Sequence, residues 1–240
     1  MKASNTAGFT IIETMLFLGI TGLLVMGILV GAGTSINIQR YHDSVASLQS
    51  TLQQQYSEVA NVSNESTGGL ECYGNSQTTP VGQSDCVIVG RYISTANGSS
   101  LSIKSVVGYI SSATSFSSIQ NDIDAINAIN IQVSPVNGQT YDIEWGSSLV
   151  RPGGSNPLAF SMLVLRSPVS GVVRTFIDPN AAIADSNIST LVNQTALTQS
   201  VKACVNSNGL FTGGKSAVFI SPSSTSASGV EMQGEAVSGC

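Results

Sequence analysis

Two pairs of acidic residues, Asp122/Asp124 and Asp142/Glu144, have the spacing at which side chains share one face of a β-strand. Carboxylates paired in this way bind calcium or act as the acid and base that cleave a glycosidic bond. Such pairs also occur on solvated strand edges and turns, and we interpret them in that way. The single histidine, His42, lies in a helical stretch beside a segment fit to cross a membrane, which argues against a Ser-His-Asp triad. We therefore predict no catalytic residue, no metal site and no cofactor.

The overall charge limits the classes of partner. Charged residues make up 10% of the 240-residue chain, and the formal net charge is −5. A protein that binds nucleic acid non-specifically needs an excess of basic residues, so dominant activity of that kind is not expected. A local basic patch is still compatible with this total.

Four cysteines, Cys72, Cys86, Cys204 and Cys240, follow the apolar segment. An even number of cysteines in this position is typical of two disulfides formed outside the cytoplasm, and three pairings are open. We favour Cys72–Cys86, which closes a turn-rich loop, and Cys204–Cys240, which fixes the end of the chain. A zinc site is the weaker alternative because no two of these cysteines have C-x-x-C spacing.

The apolar segment at residues 7–33 reads AGFTIIETMLFLGITGLLVMGILVGAG, and it contains one ionisable side chain, Glu13. As a helix from residue 9 to residue 33 it would be about 37 Å long, enough to cross a bilayer core of about 30 Å. A secretory signal peptide cleaved near the GAG at residues 31–33 is the simpler interpretation. Glu13 argues against it, because a carboxylate inside an apolar span is costly and usually has a function.

The stretch GFTIIE, residues 8–13, resembles the processing site of type IV prepilins and the related pseudopilins. The resemblance implies that a prepilin peptidase cuts after Gly8 and that Phe9 becomes an N-methylated amino terminus. Residues 1–8, with Lys2, would be the leader peptide. It further implies that Glu13 is an assembly determinant, since its carboxylate can pair with the amine of a neighbouring subunit in the low-dielectric core of a filament.

Beyond the apolar segment a helical period continues. We predict one long helix, with a transmembrane half at residues 9–33 and an amphipathic half, or spine, at residues 34–61. The spine carries an apolar stripe at three- and four-residue steps. We expect this stripe to pack on the chain's own β-sheet. Its members are Tyr41, Val45, Leu48, Leu52, Tyr56 and Val59.

Residues 62–240 have the pattern of a β-rich head. Hydrophobic runs separated by Gly, Pro, Asn and Ser predict strands at residues 86–93, 101–110, 140–145, 158–167, 171–177, 216–221 and 229–237. Residues 118–130 and 184–197 are predicted to form short helices or ordered loops. The fold class is therefore α+β, pilin-like, with the long helix packed on a mainly antiparallel head.

The head is similar to the β-rich heads of minor pilins and pseudopilins. Residues 202–221 faintly resemble the FimT-like and H-type pseudopilin group, whose FimT-like members are associated with DNA uptake. A DNA-binding patch would use basic residues gathered on one side of the sheet, although scattered surface charges are the simpler interpretation. The candidates are Arg151, Arg166, Arg174, Lys202 and Lys215.

These observations predict a structural subunit of a type IV pilus or related filament, of the minor pilin class. It would wait in the cytoplasmic membrane as a single-pass protein with its head outside and then enter an extracellular pilus. Its partners would be the prepilin peptidase, the major and other minor pilins, and the assembly platform. A pseudopilin of a type II secretion-like machine, a DNA-capturing or adhesive minor pilin and a signal-anchored enzyme are the alternatives.

Sequence motifs for N-glycosylation also occur in the head. Asn-x-Ser/Thr begins at Asn61, Asn64, Asn97, Asn187 and Asn193. In a chain so rich in serine and asparagine, several of these motifs arise by chance, so they allow surface glycosylation without predicting it.

Overall fold

The structure is a computed structural model of the 240-residue chain. It describes residues 10–61, 71–72, 76–77, 86–109, 119–135, 138–209, 213, 215–234 and 237–240, with the backbone alone at 71, 72, 76, 77 and 86. The chain divides into two compact units, residues 1–40 and residues 41–240.

The long helix predicted from the sequence is present. Helix α1 spans Ile11–Ala60 without interruption, and the sequence of this stretch contains no proline that would break it. Within the first unit almost every described side chain is exposed, including the large apolar ones between Ile11 and Val30. A soluble globular unit buries such side chains. The exposed apolar surface of this half is typical of a helix that lies in lipid or packs against other helices.

The described part of the second unit contains the end of α1, twelve strands, two further α-helices and three short 3-10 helices. The strands are β1 Glu71–Cys72, β2 Ser76–Gln77, β3 Cys86–Thr95, β4 Ser100–Tyr109, β5 Asn130–Val133, β6 Gln139–Asp142, β7 Ser148–Val150, β8 Phe160–Arg166, β9 Val173–Asp178, β10 Val201–Asn206, β11 Ser216–Ile220 and β12 Val230–Gln233. The helices are α2 Asp122–Asn127 and α3 Gln194–Thr198, and the 3-10 helices are Glu144–Gly146, Asp185–Leu191 and Ala227–Gly229.

The pairs formed by these strands are antiparallel. The larger sheet has the order β5-β4-β3-β8-β9, and β6 pairs with the other half of β4. A second sheet has the order β12-β11-β10-β7, and β1 and β2 form a separate two-stranded ribbon. The predicted α+β fold, with a long helix packed on antiparallel sheets, is confirmed.

The two faces of the larger sheet bury different elements. In β8, Phe160, Met162 and Val164 belong to the core that contains the end of α1, whereas Leu163 and Leu165 belong to a second core. This alternation follows from the two-residue period of a strand. The second core is completed by α2, α3 and the 3-10 helix Asp185–Leu191. The first core also contains the inner faces of β10 and β11, so α1 packs on both sheets.

Some details differ from the sequence pattern. The predicted strand at 140–145 ends at Asp142, because the chain turns there into a 3-10 helix in which Trp145 has a positive φ of 56°. Strands β5, β7 and β10 were not predicted. They are held by pairing with partners distant in sequence, and they lack a long hydrophobic run of their own.

Candidate functional site

The two residues of the predicted cleavage site, Gly8 and Phe9, lie outside the described residues, so cleavage between them stays a prediction. The residue that follows them, Thr10, is described, and so is Glu13. Together they form the start of α1.

Glu13 caps the first turn of its own helix. Its Oε2 accepts hydrogen bonds from the backbone N–H of Thr10 at 3.1 Å and from the Thr10 hydroxyl at 3.2 Å. In return the backbone N–H of Glu13 donates to Oγ1 of Thr10 at 3.3 Å. This reciprocal arrangement is a capping box, which satisfies helix N–H groups that have no partner inside the helix. Thr10 was not among the predicted site residues, although the sequence pattern T-x-x-E indicates such a box.

The other carboxylate oxygen of Glu13, Oε1, makes no hydrogen bond within the described part of the chain. Glu13 lies among exposed apolar side chains, and it lines shallow surface grooves with Ile12, Leu16 and Phe17. A carboxylate that is buried among apolar groups costs less when it is hydrogen-bonded and paired with a cation. The arrangement leaves one oxygen of Glu13 available for a cation of another molecule.

The second half of α1 is buried in the head through the predicted stripe. All six stripe residues, Tyr41, Val45, Leu48, Leu52, Tyr56 and Val59, are at most 2% exposed. Burial begins at Tyr41, the first residue of the second unit. Burying a large apolar side chain contributes about 1.5–3 kcal/mol, so this row of six is a main source of cohesion between helix and sheets.

Polar contacts fix the register of the same helix segment on the head. The hydroxyl of Tyr41 donates to the carbonyl of Val205 at 2.9 Å and accepts the backbone N–H of Ser216 at 2.6 Å. Val205 and Ser216 are register partners in β10 and β11, so the hydroxyl bridges the ends of two paired strands. These two hydrogen bonds fix Tyr41 at one position relative to β10 and β11.

Further along the helix, two glutamines and an ion pair add contacts. The side-chain amides of Gln49 and Gln53 both donate to the carbonyl of Val230, the first residue of edge strand β12, at 3.2 and 3.0 Å. Near the helix end, Glu58 pairs with Arg91 of β3 at 2.6 Å. The helix is thus fixed to both sheets of the head.

Tyr56 carries a hydrogen bond in the middle of the core. The Thr175 hydroxyl donates its one proton to the carbonyl of Ser224 at 2.6 Å, so the Tyr56 hydroxyl, 3.0 Å from Oγ1 of Thr175, donates to that oxygen. Burial raises the pKa of the Tyr56 phenol above its ordinary value, although the hydrogen bonds with Ser224 and Thr175 act in the opposite direction. Tyr56 therefore stays neutral at physiological pH and has a structural role.

The predicted disulfide Cys204–Cys240 is confirmed, with 5.6 Å between the two Cα atoms. It closes a loop with a sequence separation of 36 residues, worth about 4 kcal/mol in the chain-entropy model. The last residues are also held by a hydrogen bond from Nζ of Lys202 to the carbonyl of Ser238 at 2.7 Å. The side chains of Cys72 and Cys86 lie outside the described part, so their pairing stays a prediction.

The structure does not gather the five basic candidates on one face. Arg166, at the end of β8, donates to the carbonyls of Gly171 and of Ala60, on the side where α1 packs. Arg174 of β9 is on the opposite face, where it forms two hydrogen bonds with Asp122 at 2.7 and 2.9 Å.

The three other basic candidates lie on the second sheet or next to it, and each donates to a carbonyl oxygen. Arg151 follows β7 and donates to Asn180, Lys202 belongs to β10, and Lys215 precedes β11 and donates to Gly154. Lys202 and Lys215 donate to neighbouring segments, because the N–H of Gly153 donates to the carbonyl of Gly239 at 2.5 Å. The five candidates still do not share one face, since Arg166 and Arg174 lie on opposite sides of the larger sheet. Nucleic-acid binding by these residues stays a prediction.

The acidic pairs have structural partners. Asp122 and Asp124 lie in the first turn of α2 and not on a strand, because Asn121 caps that helix. A hydrogen bond from the Ser170 hydroxyl and the neighbouring Arg174 guanidinium lower the pKa of Asp122. Glu144 accepts a hydrogen bond from Ser47 of α1. Within the described ranges there is no group of three His, Cys, Asp or Glu side chains that could hold a metal ion.

No family model, curated protein or solved structure matches this chain. Among the described helices, α1 is long and apolar enough to cross a membrane, judged by length and composition. A signal sequence near an N-terminus meets the same criteria. The functional assignment therefore depends on the residues of the chain itself.

Proposed function

We propose that this chain is a structural subunit, of the minor pilin class, of a type IV pilus or related filament. The observation that carries the proposal is the spacing of Gly8, Phe9 and Glu13 at the start of one continuous apolar helix. A secretory signal peptide does not need a carboxylate at this position, whereas the prepilin segment that these residues resemble carries one.

The surface of the first half of α1 supports this proposal. A helix that is apolar all round is stable in water only when it is covered, either by lipid or by other helices. A filament subunit experiences both surroundings in turn, first the cytoplasmic membrane and then the filament core. The predicted cleavage after Gly8 would mark the transition, with a prepilin peptidase as the enzyme.

The contacts of Glu13 suggest how the subunit would find its axial position. Cleavage leaves an ammonium group on Phe9 at the end of the helix. In a packed core, that ammonium of one subunit would pair with Oε1 of Glu13 in the next, while Oε2 keeps its bonds to Thr10. An unpaired charge in such a core costs several kcal/mol, so the pairing favours one register over others.

The head would then be carried into the filament by the spine. The buried stripe would transmit a pull on the spine to the core between the sheets, and the Tyr41 bridge would transmit it to β10 and β11. The partners of this subunit would be the major pilin, other minor pilins and the assembly platform, and its head would be outside the cell. We propose no enzymatic activity for the chain.

Variants at the N-terminal residues test the proposal in a cell that makes the filament. Gly8→Asp should leave the full-length chain in the membrane and none in sheared surface filaments. Glu13→Ala should be cleaved normally but recovered from filaments at about a tenth of the wild-type amount or less, as expected when a buried charge loses its partner. Glu231→Gln, which changes an exposed carboxylate of β12, is the matched control and should be recovered normally.

The pseudopilin alternative gives a different outcome in the same strains. A pseudopilin of a secretion machine would be cleaved after Gly8 as well. It would be absent from surface filaments, and its deletion would stop the release of an exported protein without changing the number of pili. Normal recovery of both Gly8→Asp and Glu13→Ala in surface filaments would contradict the proposal that the chain is cleaved after Gly8 and assembled through Glu13.

A further inference from the structure

We infer that Asn97 is an acceptor site for an N-linked glycan. It belongs to one of the five Asn-x-Ser/Thr motifs, and a motif of this kind needs a surface loop to be used. Asn97 lies in the turn that joins β3 to β4, with exposed side chains at Asn97 and Ser99. Asn61 and Asn64 belong to motifs that run outside the described residues.

The turn holds the acceptor amide in a defined orientation. Oδ1 of Asn97 accepts the backbone N–H of Ser99 at 3.1 Å and the Ser99 hydroxyl at 2.9 Å. Ser99 is the hydroxyl residue of the motif, so the two groups that define the motif are in contact. Nδ2 of Asn97, the atom that receives a sugar, makes no hydrogen bond with any residue that the structure describes.

Gly98, the residue between Asn97 and Ser99, connects the turn to β7. Gly98 is buried, has a φ of 69°, and accepts the backbone N–H of Leu149 at 2.7 Å. A Cβ at this position would overlap the carbonyl oxygen of Leu149, so only glycine fits. The fold therefore places Gly98 inside and directs both polar side chains of the motif outward.

The other described motifs are arranged differently. Asn193 is the N-cap of α3: its Oδ1 accepts from Ala196 and its Nδ2 donates to the carbonyl of Thr190 at 2.7 Å. Its nitrogen is thus used by the fold, and a glycan there would break the cap. Asn187 is exposed but lies within the 3-10 helix Asp185–Leu191, and its Oδ1 accepts from Ser186 instead of the motif residue Ser189.

The modification is a group transfer from a lipid-linked oligosaccharide. Nδ2 of Asn97 attacks C1 of the first sugar, and the N–C1 bond forms as the bond between C1 and the lipid pyrophosphate oxygen breaks. The lipid pyrophosphate leaves with the electron pair, and the amide nitrogen loses one proton to the base of the transferase. In a cell this step requires the exported head of the proposed function, whereas in vitro it requires the folded chain alone.

The test is a transfer reaction on the full chain in detergent, with a purified single-subunit oligosaccharyltransferase and a lipid-linked oligosaccharide. Mass spectrometry of the intact protein and of its peptides gives the number and position of the added glycans. We expect one glycan, on the peptide that contains Asn97. Asn97→Gln and Ser99→Ala should lose it, and Ser99→Thr should keep it.

Asn187→Gln and Asn193→Gln are the controls and should still be modified at Asn97. A folded chain that receives no glycan at Asn97 would overturn the inference, and so would a glycan mapped to Asn187 or Asn193 in its place. Near-UV circular dichroism of each variant checks that the head is folded. Because the reaction needs no filament, its failure would leave the filament proposal standing, and a failed filament experiment would leave this result unchanged.

Discussion

The two halves of α1 are both regular helix, but their apolar side chains differ in burial. Ile11 and Leu23 in the first half are 77% and 73% exposed, whereas Leu48 and Leu52 in the second half are 0% and 1% exposed. The two halves differ in composition as well as in pattern. Residues 14–33 contain no charged side chain, whereas residues 34–60 are rich in glutamine and serine and include charged residues. The first half is therefore apolar all round, and the second half has a single apolar stripe.

This difference indicates what each half of the helix packs against. A stripe matches one flat surface, and the two sheets of the head provide it within the same chain. An all-round apolar surface is left exposed by its own unit and requires lipid or other helices. The polar residues differ in the same way. Tyr41 bonds to strands of the head, whereas Glu13 bonds to Thr10 in its own first turn, and Oε1 of Glu13 has no hydrogen bond with any residue that the structure describes.

The sharpest test of the comparison is the same substitution in both halves. Leu48→Ala should lower the free energy of unfolding of the head by about 2–5 kcal/mol, because it leaves a cavity in a closed core. Leu23→Ala should change it by less than about 0.5 kcal/mol, as expected for a side chain outside any core. The measurement is chemical denaturation of the full chain in detergent, followed by near-UV circular dichroism. Equal effects of the two substitutions on the free energy of unfolding would contradict the conclusion that only the second half of α1 packs in the core of the head.

The next largest effect is expected at the boundary between the halves. Tyr41→Phe removes the hydroxyl that bridges Val205 and Ser216, and it leaves two buried backbone groups without that partner. We expect a loss of about 1–3 kcal/mol in the same denaturation experiment. Tyr141→Phe is the matched control. Its half-buried hydroxyl donates to the Ser47 side chain at 3.0 Å, so this substitution removes a bond to a side chain instead of one to the backbone. A Tyr41→Phe variant no less stable than Tyr141→Phe would show that the bridge is dispensable.

A smaller effect is expected at the start of the first half. Thr10→Ala removes the capping hydroxyl and should reduce local helix stability by about 0.5–2 kcal/mol. Amide hydrogen exchange in detergent should therefore speed up in the first turn, while the unfolding of the head stays unchanged. Thr10→Ser should restore protection, and Thr14→Ala, which loses only a hydroxyl bonded to the carbonyl of Ile11, should have little effect. Exchange that is unchanged in Thr10→Ala would mean that the capping box does not form.

The smallest effect concerns pH and should be confined to the head. The pKa of Asp122 is lowered in the folded state, so its contribution to stability is present above the unfolded value of about 3.9 and is lost as the pH falls through the lower folded value. Asp122→Asn should therefore have a lower free energy of unfolding than wild type at pH 7, and the difference between the two free energies should decrease towards pH 3. The apolar half of α1 should keep its helical circular dichroism over this range. A difference that does not change with pH would show that the Asp122–Arg174 pair contributes nothing through charge.

The features predictable from the sequence are those set by local pattern. The stripe from Tyr41 to Val59 follows the helical period, and the long runs of β3, β4 and β8 follow strand propensity, so both could be recognised from the residues alone. The Cys204–Cys240 pairing was also predicted, and the structure confirms it.

The features that could not be predicted depend on contacts between distant parts of the chain. Strand β10 is defined by its pairing with β7 and β11, and the Tyr41 bridge joins residues 164 and 175 positions apart. Likewise, strand alternation in sequence does not reveal that Arg166 and Arg174 face opposite sides of the sheet. The capping box at Thr10 is an exception, because its local pattern T-x-x-E was readable.

The central claim is that the chain is processed after Gly8 and assembled through its N-terminal helix. Mass spectrometry of the N-terminal peptide tests it most directly, with material from membranes and from sheared surface filaments of the same cells. The account predicts an N-methylated Phe9 as the first residue of the filament-derived chain. A chain that begins near Thr34, or one that retains Met1 in every fraction, would contradict it.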